Sequence, residues 1–179
     1  MSASTNSAAM DIDPLLFRSA MGLFATGVTV ITYIADGEVA GMTANAFMSV
    51  SMDPPLVLVS VRKQARFNQA MRVGLCYGVS FLAEAQQALS AHFGGRKDEQ
   101  LEVPLVYHGA TPLIGGSLAH IVARVSAIHE AGDHLLYLGH IEHLQLGPQR
   151  KPLVFFSGKY KQVDAHAPAT GWAVNEDCW

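Results

Sequence analysis

Runs of alternating or β-branched hydrophobic residues recur along most of the chain, and Gly, Pro or Asp residues separate them. This pattern is typical of β-strands joined by turns. Asp36-Gly37 predicts a tight hairpin turn, and Pro54-Pro55 predicts another turn because proline cannot donate to a strand ladder. About seven strands are predicted, over residues 28–33, 39–43, 45–51, 56–61, 75–82, 117–130 and 135–146, and the run 153–161 closes the domain.

Other segments have helical or loop signals. Asp13 followed by Pro14 predicts an N-cap and the first turn of a helix. Residues 64–72 predict a short helix, and residues 83–93 predict a helix rich in Ala and Gln. The stretch 94–116 contains five Gly and two Pro among charged residues, so we expect a long loop with one short strand.

The order of these elements favours a mainly β fold. Successive strands are joined mainly by hairpins instead of alternating with helices, which predicts a closed or split antiparallel β-barrel with a few short helices. A length of 179 residues predicts one domain. We expect this domain to span residues 13–162, between a flexible N-terminus over 1–12 and a C-terminal tail over 163–179.

Composition narrows the class of protein further. Half of the residues are hydrophobic, which excludes disorder of the main body. The net charge is −3 and the basic residues are scattered along the chain, which argues against a nucleic-acid surface. Cys76 and Cys178 have neither metal-site nor disulfide spacing, and no secretory signal or membrane span is evident. We therefore expect a soluble cytoplasmic protein without a membrane partner.

Several common site motifs are absent from the sequence. It has no Gly-x-Gly-x-x-Gly fingerprint, no P-loop and no Gly-x-Ser-x-Gly elbow. His140 and His143 are the closest histidine pair, but residues three apart on a strand point to opposite faces, so we expect no metal site. Small polar residues concentrate at 26–29 and 41–51, which on composition alone indicates ordinary turn chemistry.

Six segments, taken in their order along the chain, resemble a known protein family. They are residues 17–32, 41–47, 49–51, 54–60 and 155–160, together with Gly132-Asp133-His134. In this order they closely resemble the flavin reductase family, the small NAD(P)H:flavin oxidoreductases of two-component flavin-dependent monooxygenases such as phenol and 4-hydroxyphenylacetate hydroxylases. The resemblance runs from about Phe17 to Gln162.

The resemblance implies both a fold and a function. It implies a homodimer of split antiparallel β-barrels that binds FMN or FAD, reduces it with NADH or NADPH, and releases reduced flavin to a separate oxygenase. Because no positive cluster resembles a 2′-phosphate site, NADH is favoured over NADPH. Hydride transfer requires two stacked rings in the correct orientation, so no catalytic triad is expected. A non-enzymatic flavin-binding protein on the same fold and a dimeric interaction module that uses the Trp-bearing tail remain alternatives.

The resemblance also implies which residues bind the cofactor. His134 resembles the family's nicotinamide-side histidine and is the candidate catalytic residue, and we expect Asp133 to orient its turn through a bond from its side chain to the backbone. The isoalloxazine ring would lie along Thr43, Ala44, Asn45, Ala46 and Phe47, with Ser49 and Val50 continuing this wall.

The remaining implied contacts lie further along the chain. A helix start with Ser60, Gln64, Ala65 and Arg66, beside Arg62 and Lys63, would hold the flavin phosphate. Ser80, Phe81, His92 and Phe93 are implied as further cofactor contacts, with His92 or Phe93 flanking the adenine of FAD. Lys159 and Tyr160 would meet NAD(P)H, although Tyr160 could equally pack on the barrel.

Overall fold

The protein is described by a computed structural model that covers residues 12–163. Over these residues the chain forms three α-helices, one 3₁₀ turn and twelve strands. The helices are α1 (Pro14–Gly22), α2 (Phe67–Ala70) and α3 (Gln87–Phe93), and the 3₁₀ turn is Glu84–Gln86. The strands are β1 (Thr26–Gly27), β2 (Thr29–Ala35), β3 (Glu38–Ala44), β4 (Phe47–Met52), β5 (Pro55–Arg62), β6 (Cys76–Phe81), β7 (Leu105–His108), β8 (Thr111–Ile114), β9 (Ala119–Ala131), β10 (His134–Leu146), β11 (Val154–Phe156) and β12 (Lys159–Lys161).

Seven strands form one antiparallel sheet in the order β3-β2-β6-β9-β10-β5-β4. The two edge strands, β3 and β4, are joined only by Asn45 and Ala46. Such a connection spans at most about 11 Å, so the two edges must meet at this corner and the sheet curls into a barrel. Within residues 12–163 no ladder pairs β3 with β4, so the barrel is split along this seam. The prediction of a mainly β antiparallel fold with short helices is confirmed.

Apolar side chains from the inner face of this sheet surround Phe67. Its ring is fully buried and meets Tyr33, Tyr77 and Tyr137 edge to face, with centroid distances of 5.0, 5.9 and 4.9 Å. A second core cluster, which includes Val28, Val30, Leu82, Leu89, Ile114 and Leu153, lies beside α3. The barrel therefore has an aromatic centre of its own, separate from the packing that supports α3.

The helix predictions are confirmed in position and corrected in length. The Asp13 carboxylate accepts from Leu15 N at 3.0 Å and caps α1 as predicted. The helix expected over 64–72 is only α2, because Met71 turns to an extended conformation and buries its side chain. The segment 83–93 begins as a 3₁₀ turn, where the Gln86 side chain accepts from Ala83 N and donates to Gly115 O, before α3 follows.

The expected long loop over 94–116 is wrong in one respect, because it holds a hairpin of two strands, β7 and β8. Strand β8 is buried throughout and packs on the sheet near β2 and β6. The Thr32 hydroxyl donates to the Pro112 carbonyl, so the proline is accommodated through its acceptor. Tertiary contacts of this kind override the loop signal of Gly and Pro.

The expected N-terminus over 1–12 and tail over 163–179 fall outside the described residues, except for Ile12 and Val163. The same holds for Cys178, Trp172 and Trp179. Cys76 is a half-buried free thiol. Among the described residues, no helix has the length and apolar character that crossing a membrane requires.

Candidate functional site

The split corner of the barrel carries the polar segment that the sequence singles out. Asn45 and Ala46 are both exposed at this corner. The flanking residues are held firmly, since Thr43 Oγ1 donates to Ser90 O at 2.7 Å and Thr29 Oγ1 donates to Ala44 O at 2.7 Å. The Asn45 amide is thus presented on a fixed backbone and is free to meet a ligand.

A cavity of about 640 Å³, here called the Asn45 cavity, opens at this corner. It is lined by Val28, Thr43, Asn45, Gln87, Ser90, Ala91, Gly94, Arg96, Phe155, Gly158, Lys159 and Tyr160. Four residues predicted for the site, Thr43, Asn45, Lys159 and Tyr160, therefore lie together although more than a hundred residues separate them in sequence. The volume is within the usual range for small-molecule sites, roughly 300–1,000 Å³.

Tyr160 is fixed at the wall of this cavity. Its hydroxyl lies 2.8 Å from Ser90 Oγ, and its ring meets Phe155 edge to face at 5.7 Å. Tyr160 also packs against the second core cluster. The two interpretations offered by the sequence are compatible, because Tyr160 packs against the protein and also lines the cavity.

Two cations line the Asn45 cavity, and no carboxylate does. Lys159 is among the predicted residues, whereas Arg96 is not. Arg96 lies just after α3, where its backbone N–H donates to Ala91 O at 3.0 Å. Nothing in its local sequence distinguishes it from a solvated loop arginine, so only the tertiary fold reveals its position beside Asn45.

The predicted phosphate-binding segment, residues 60–66, leads from β5 into α2. Ser60 N donates to Ala46 O at 3.0 Å, which attaches this segment to the split corner. Gln64 and Ala65 lie in the turn that follows β5. Lys63 is paired with Glu130 at 3.1 Å, whereas Arg66 is exposed and forms no ion pair within residues 12–163. Of the three cations considered for an anionic group, Arg62 and Arg66 are therefore without an ion pair among the described residues, and Lys63 is paired.

The Gly132-Asp133 turn joins β9 to β10 and places His134 beside the same segment. Lys63 N donates to Asp133 O at 3.0 Å, and His134 is the strand partner of Arg62. The Asp133 carboxylate lies 2.7 Å from His134 Nδ1. This contact with the ring is additional to the expected bond from the Asp133 carboxylate to the backbone. The hydrogen bond and the charge of His134 lower the pKa of Asp133 from its ordinary value.

This pairing has a chemical consequence for His134. A carboxylate on Nδ1 favours the tautomer that carries a proton there, which leaves Nε2 directed away from Asp133. The imidazole is only partly buried, and its carboxylate partner is exposed. His134 is consequently an oriented polar group on the rim of the barrel and not an independent surface residue.

Among the predicted cofactor contacts, Ser80 occupies a structural position, whereas Phe81 and Phe93 are partly buried rings that pack beside the core clusters. Ser80 is fully buried, and its Oγ accepts from Ile114 N at 2.9 Å, so the expected contact with the cofactor is not supported. Phe81 packs on the barrel core and meets Phe47 edge to face at 5.3 Å. Phe93 packs on the second core cluster beside His92, whose Nδ1 accepts from Asp98 N at 3.1 Å.

Ser49 and Val50 lie on β4, directly after the split corner, and both are exposed. Ser49 pairs with Val57 and Ser51 with Leu56, so Val50 is the additional residue of a β-bulge. The bulge turns this edge strand away from a regular ladder. Both residues remain available as a wall beyond Asn45, as the sequence suggests.

The histidine pair considered for a metal has other surroundings. The pairing of β9 with β10 shifts register between Ile141 and His143, and the His143 ring stacks on His108 at a centroid distance of 3.7 Å. Within residues 12–163, no group of three or more His, Cys, Asp or Glu side chains is placed to hold a metal ion.

The family assignment follows from a comparison with known proteins. The model of the flavin reductase-like domain matches residues 21–164. The chain belongs to the flavin reductase family. Among similar proteins of known function, an NADH-dependent flavin reductase from a Rhodococcus species is 42% identical over 157 residues, which is 86% of this chain and 89% of that protein.

Other members of the family extend the likeness to two-component systems and to solved structures. The reductase component of 4-hydroxyphenylacetate 3-monooxygenase from Thermus thermophilus is 36% identical over 82% of this chain and 95% of that protein. The flavin reductase PheA2 has a TM-score of 0.78 and 43% identity, covering 86% of this chain and 99% of that one. The Streptomyces globisporus NADH:FAD oxidoreductase SgcE6, solved with NAD and FAD fragments, has a TM-score of 0.79 and 34% identity over 87% of this chain and 95% of that one.

Proposed function

We propose that this flavin reductase family member oxidises NADH, reduces FMN or FAD, and supplies the reduced flavin to a separate monooxygenase component. The observation that carries the proposal is the exposed Asn45 corner, which opens into a cavity lined by two cations and by no carboxylate. Relatives described as NADH-dependent flavin reductases and as monooxygenase reductase components support it. Because NADH and free flavins are intracellular reactants, the proposal also implies a cytoplasmic protein.

The residues of the corner suit the polar edge of a flavin. When bound, the flavin accepts a hydride from the nicotinamide, and negative charge develops on its pyrimidine edge. The Asn45 amide and the exposed backbone at Ala46 provide hydrogen-bonding groups on a rigid support. The Thr43 hydroxyl already donates to Ser90 O, so it meets a ligand only as an acceptor. Ser49 and Val50 continue this wall.

The segment of Ser60, Gln64, Ala65 and Arg66 is the proposed site of the flavin phosphate. It is joined to the corner through the bond from Ser60 N to Ala46 O. Asn68 donates to the carbonyls of Arg62 and Lys63 at 2.8 and 2.9 Å, which holds the turn in shape. The N–H groups of Lys63 and Ala65 are already donated to Asp133 O and Arg62 O. A preformed turn with an unpaired arginine is well suited to an anionic group.

His134 is proposed to meet the nicotinamide side of the reaction. Its ring is held by Asp133, and the turn is attached to the phosphate segment through Lys63 N. The role of such a residue is to position the dinucleotide and, when the ring also carries a proton on Nε2, to supply that proton to reduced flavin. Hydride transfer itself requires no protein nucleophile.

A second copy of the chain is the proposed partner for the exposed apolar side chains of helix α1 and strand β4. Helix α1 has no buried residue, and strand β4 is an edge of the sheet. Their exposed apolar side chains are Leu15, Leu16, Phe17, Met21, Met48, Val50 and Met52. Surfaces of this kind mark association sites. Light scattering is expected to give the mass of a homodimer, and Leu16→Glu should shift it toward the monomer, whereas a monomeric wild-type protein would refute the proposal.

The rate of NADH oxidation with and without added FMN or FAD tests the proposed reaction. We expect oxidation that depends on free flavin and that is slower with NADPH. Flavin binding without NADH oxidation would instead favour the alternative of a non-enzymatic flavin-binding protein. Absence of any flavin binding would leave only an interaction module.

A further inference from the structure

A half-buried asparagine joins the core of the barrel to the turn that follows β5. Asn68 lies on α2, directly after the buried ring of Phe67. Its Nδ2 donates to the carbonyls of Arg62 and Lys63 at 2.8 and 2.9 Å, and its Oδ1 accepts from the Tyr137 hydroxyl at 2.9 Å. Both donors and the acceptor of this amide are therefore in use within the fold.

The partners of the Asn68 amide determine its orientation. Carbonyl oxygens can only accept, so the amide nitrogen has to face Arg62 and Lys63. Burial raises the pKa of the Tyr137 phenol, which therefore stays protonated at neutral pH and donates to Oδ1. A reversed amide would place its oxygen against two carbonyl oxygens. The observed orientation is thus the one that satisfies all three contacts.

The hydroxyl of Tyr137 gives this amide a fixed support in the interior. Tyr137 lies on β10 opposite Val59 of β5, and only 1% of its surface is exposed. Its ring meets Phe67 edge to face at a centroid distance of 4.9 Å. Because close packing fixes buried rings, the hydroxyl holds the Asn68 amide at a defined place relative to the barrel.

The two carbonyls that Asn68 binds lie where two proposed ligand-binding regions meet. Arg62 O also accepts from Ala65 N at 2.9 Å, which closes the turn that begins the proposed flavin-phosphate segment. Lys63 N donates to Asp133 O at 3.0 Å, and Arg62 is the strand partner of His134. A displacement of this turn would therefore move the phosphate segment and the proposed nicotinamide side together.

Other support for this turn is weak. The side chain of Lys63 pairs with Glu130, but both side chains are substantially exposed, and exposed ion pairs contribute little. Gln64 and Arg66 are exposed as well. Helix α2 has four residues, which is too short for a helix to be stable without tertiary contacts. The bonds of Asn68 are consequently a main source of order at this point.

We propose that Asn68, oriented by Tyr137, is a positioning residue that sets the turn at residues 62–63 for binding of both the flavin phosphate and NADH. This inference rests on the proposed function for the roles of the two regions that meet there. Asn68 acts through the two carbonyls and touches neither ligand. Small displacements of binding groups weaken ligand binding strongly, so loss of these bonds should raise both KM values and leave kcat nearly unchanged.

The direct test compares the binding of FMN with that of riboflavin, which lacks the phosphate, by titration of flavin fluorescence. Asn68→Leu removes all three hydrogen bonds without adding charge, and Tyr137→Phe removes only the anchoring hydroxyl. We expect the Kd for FMN to rise about tenfold in Asn68→Leu and about threefold in Tyr137→Phe. The Kd for riboflavin should stay within about twofold of wild type in both variants.

Tyr77→Phe is the matched control. The Tyr77 ring also meets Phe67 edge to face, but its hydroxyl has no hydrogen-bond partner among the described residues. Its removal should leave the Kd for FMN unchanged. If Asn68→Leu does not fold, Tyr137→Phe measured against Tyr77→Phe decides the question. A Kd for FMN that is the same in Tyr137→Phe and in the control would overturn the proposal, and so would an equal rise for riboflavin.

Two further measurements examine the connection between the residues. If Tyr137 acts through Asn68, then adding Tyr137→Phe to Asn68→Leu should change the Kd for FMN by less than about twofold. Independent, additive losses would overturn the role of Tyr137. In steady-state kinetics the KM for NADH should rise in both single variants while kcat stays within about twofold of wild type. An unchanged KM for NADH would overturn the part of the proposal that concerns the His134 turn.

The binding experiment separates this inference from the proposed function, because FMN binding requires no NADH. A protein that binds FMN in a manner dependent on Asn68 but oxidises no NADH would refute the reductase and retain the positioning role. A protein that oxidises NADH with FMN, and whose Asn68 and Tyr137 variants match the control, would retain the reductase and refute the positioning role.

Discussion

The interior and the rim of the barrel are built on opposite principles. Phe67 and the three tyrosine rings around it are almost completely buried, and each side chain is held by its neighbours. At the rim, the Asn45 amide and the Arg66 and Lys159 cations are exposed and make few contacts with the protein. Interior residues therefore determine stability, whereas rim residues can change with little effect on folding. Function should consequently be separable from stability by mutation.

The largest expected effect comes from the interior. Phe67→Ala removes a ring that touches all three tyrosines and leaves a cavity at the centre of the barrel. We expect the free energy of unfolding to fall by about 3–5 kcal/mol, measured by urea denaturation. Val73→Ala, at a position that is 59% exposed, serves as the control and should change stability by less than about 0.5 kcal/mol. If both variants lost similar amounts of unfolding free energy, the difference between interior and rim residues would be contradicted.

Substitution at the rim should change ligand binding and leave stability intact. The Asn45 side chain makes no hydrogen bond within residues 12–163, so Asn45→Ala removes no contact that supports the fold. If this amide binds the flavin, the KM for flavin should rise about tenfold, while the urea midpoint remains within error of wild type. Unchanged kinetics would remove Asn45 from the site, and a large loss of stability would show that the corner is structural.

The buried hydroxyl of Tyr77 is an exception among the interior groups, because we expect its removal to stabilise the fold. Tyr77 is fully buried, and its hydroxyl has no hydrogen-bond partner among the described residues. Burial also raises the pKa of this phenol. Tyr77→Phe should therefore stabilise the protein by about 1 kcal/mol. A destabilised variant would indicate that the hydroxyl has a partner.

Gly139 provides the matched partner for that experiment. A Cβ atom at Gly139 would clash with the Tyr77 hydroxyl oxygen, so Gly139→Ala should destabilise the barrel by roughly 1–3 kcal/mol. Combining it with Tyr77→Phe should recover part of this loss, because the closest atom is removed. Additive effects of the two substitutions would show that they do not interact.

The smallest effect on stability is expected at the Asp133-His134 pair. The pKa of Asp133 is lowered in the folded protein, so its stabilising contribution is present above the ordinary aspartate pKa and is lost as the pH falls through the lowered value. Asp133→Asn should only slightly reduce the loss of stability that occurs as the pH falls in the acidic range, since the carboxylate is fully exposed. Glu102→Gln, at an exposed carboxylate outside the pair, should leave this loss unchanged.

The same pair should matter more for catalysis. His134→Ala is expected to raise the KM for NADH about tenfold. Asp133→Asn should raise it less, because the ring stays in place but loses the group that sets its tautomer. An unchanged KM for NADH in His134→Ala would show that this histidine is a surface residue without a role in the reaction.

The sequence predicted some elements well because their signals are local. The N-cap of α1, the Asp36-Gly37 hairpin and the long β9–β10 pair depend on neighbouring residues, and all of them form as expected. The prediction failed where distant contacts prevail. The β7–β8 hairpin forms in a Gly- and Pro-rich stretch because the sheet buries it, and α2 ends early because Met71 enters the core.

The candidate site shows the same division. The sequence motifs placed Asn45, Lys159 and Tyr160 in one functional group, and the fold brings them to one cavity. Ser80 has a residue type and a motif position that suggest a ligand contact, but its side chain points into the core and bonds to Ile114 N. Which face of a strand is buried depends on what packs against it, and a motif alone does not contain that information.

The sequence by itself determined the class of fold, the family and the polar segment at residues 43–47, because strand periodicity, turn residues and an ordered set of motifs are written in neighbouring positions. Only the tertiary structure decided that Arg96 and Lys159 gather around the cavity beside Asn45. The physical reason is that electrostatic potential depends on distances in space, and antiparallel pairing brings together charges that lie far apart along the chain.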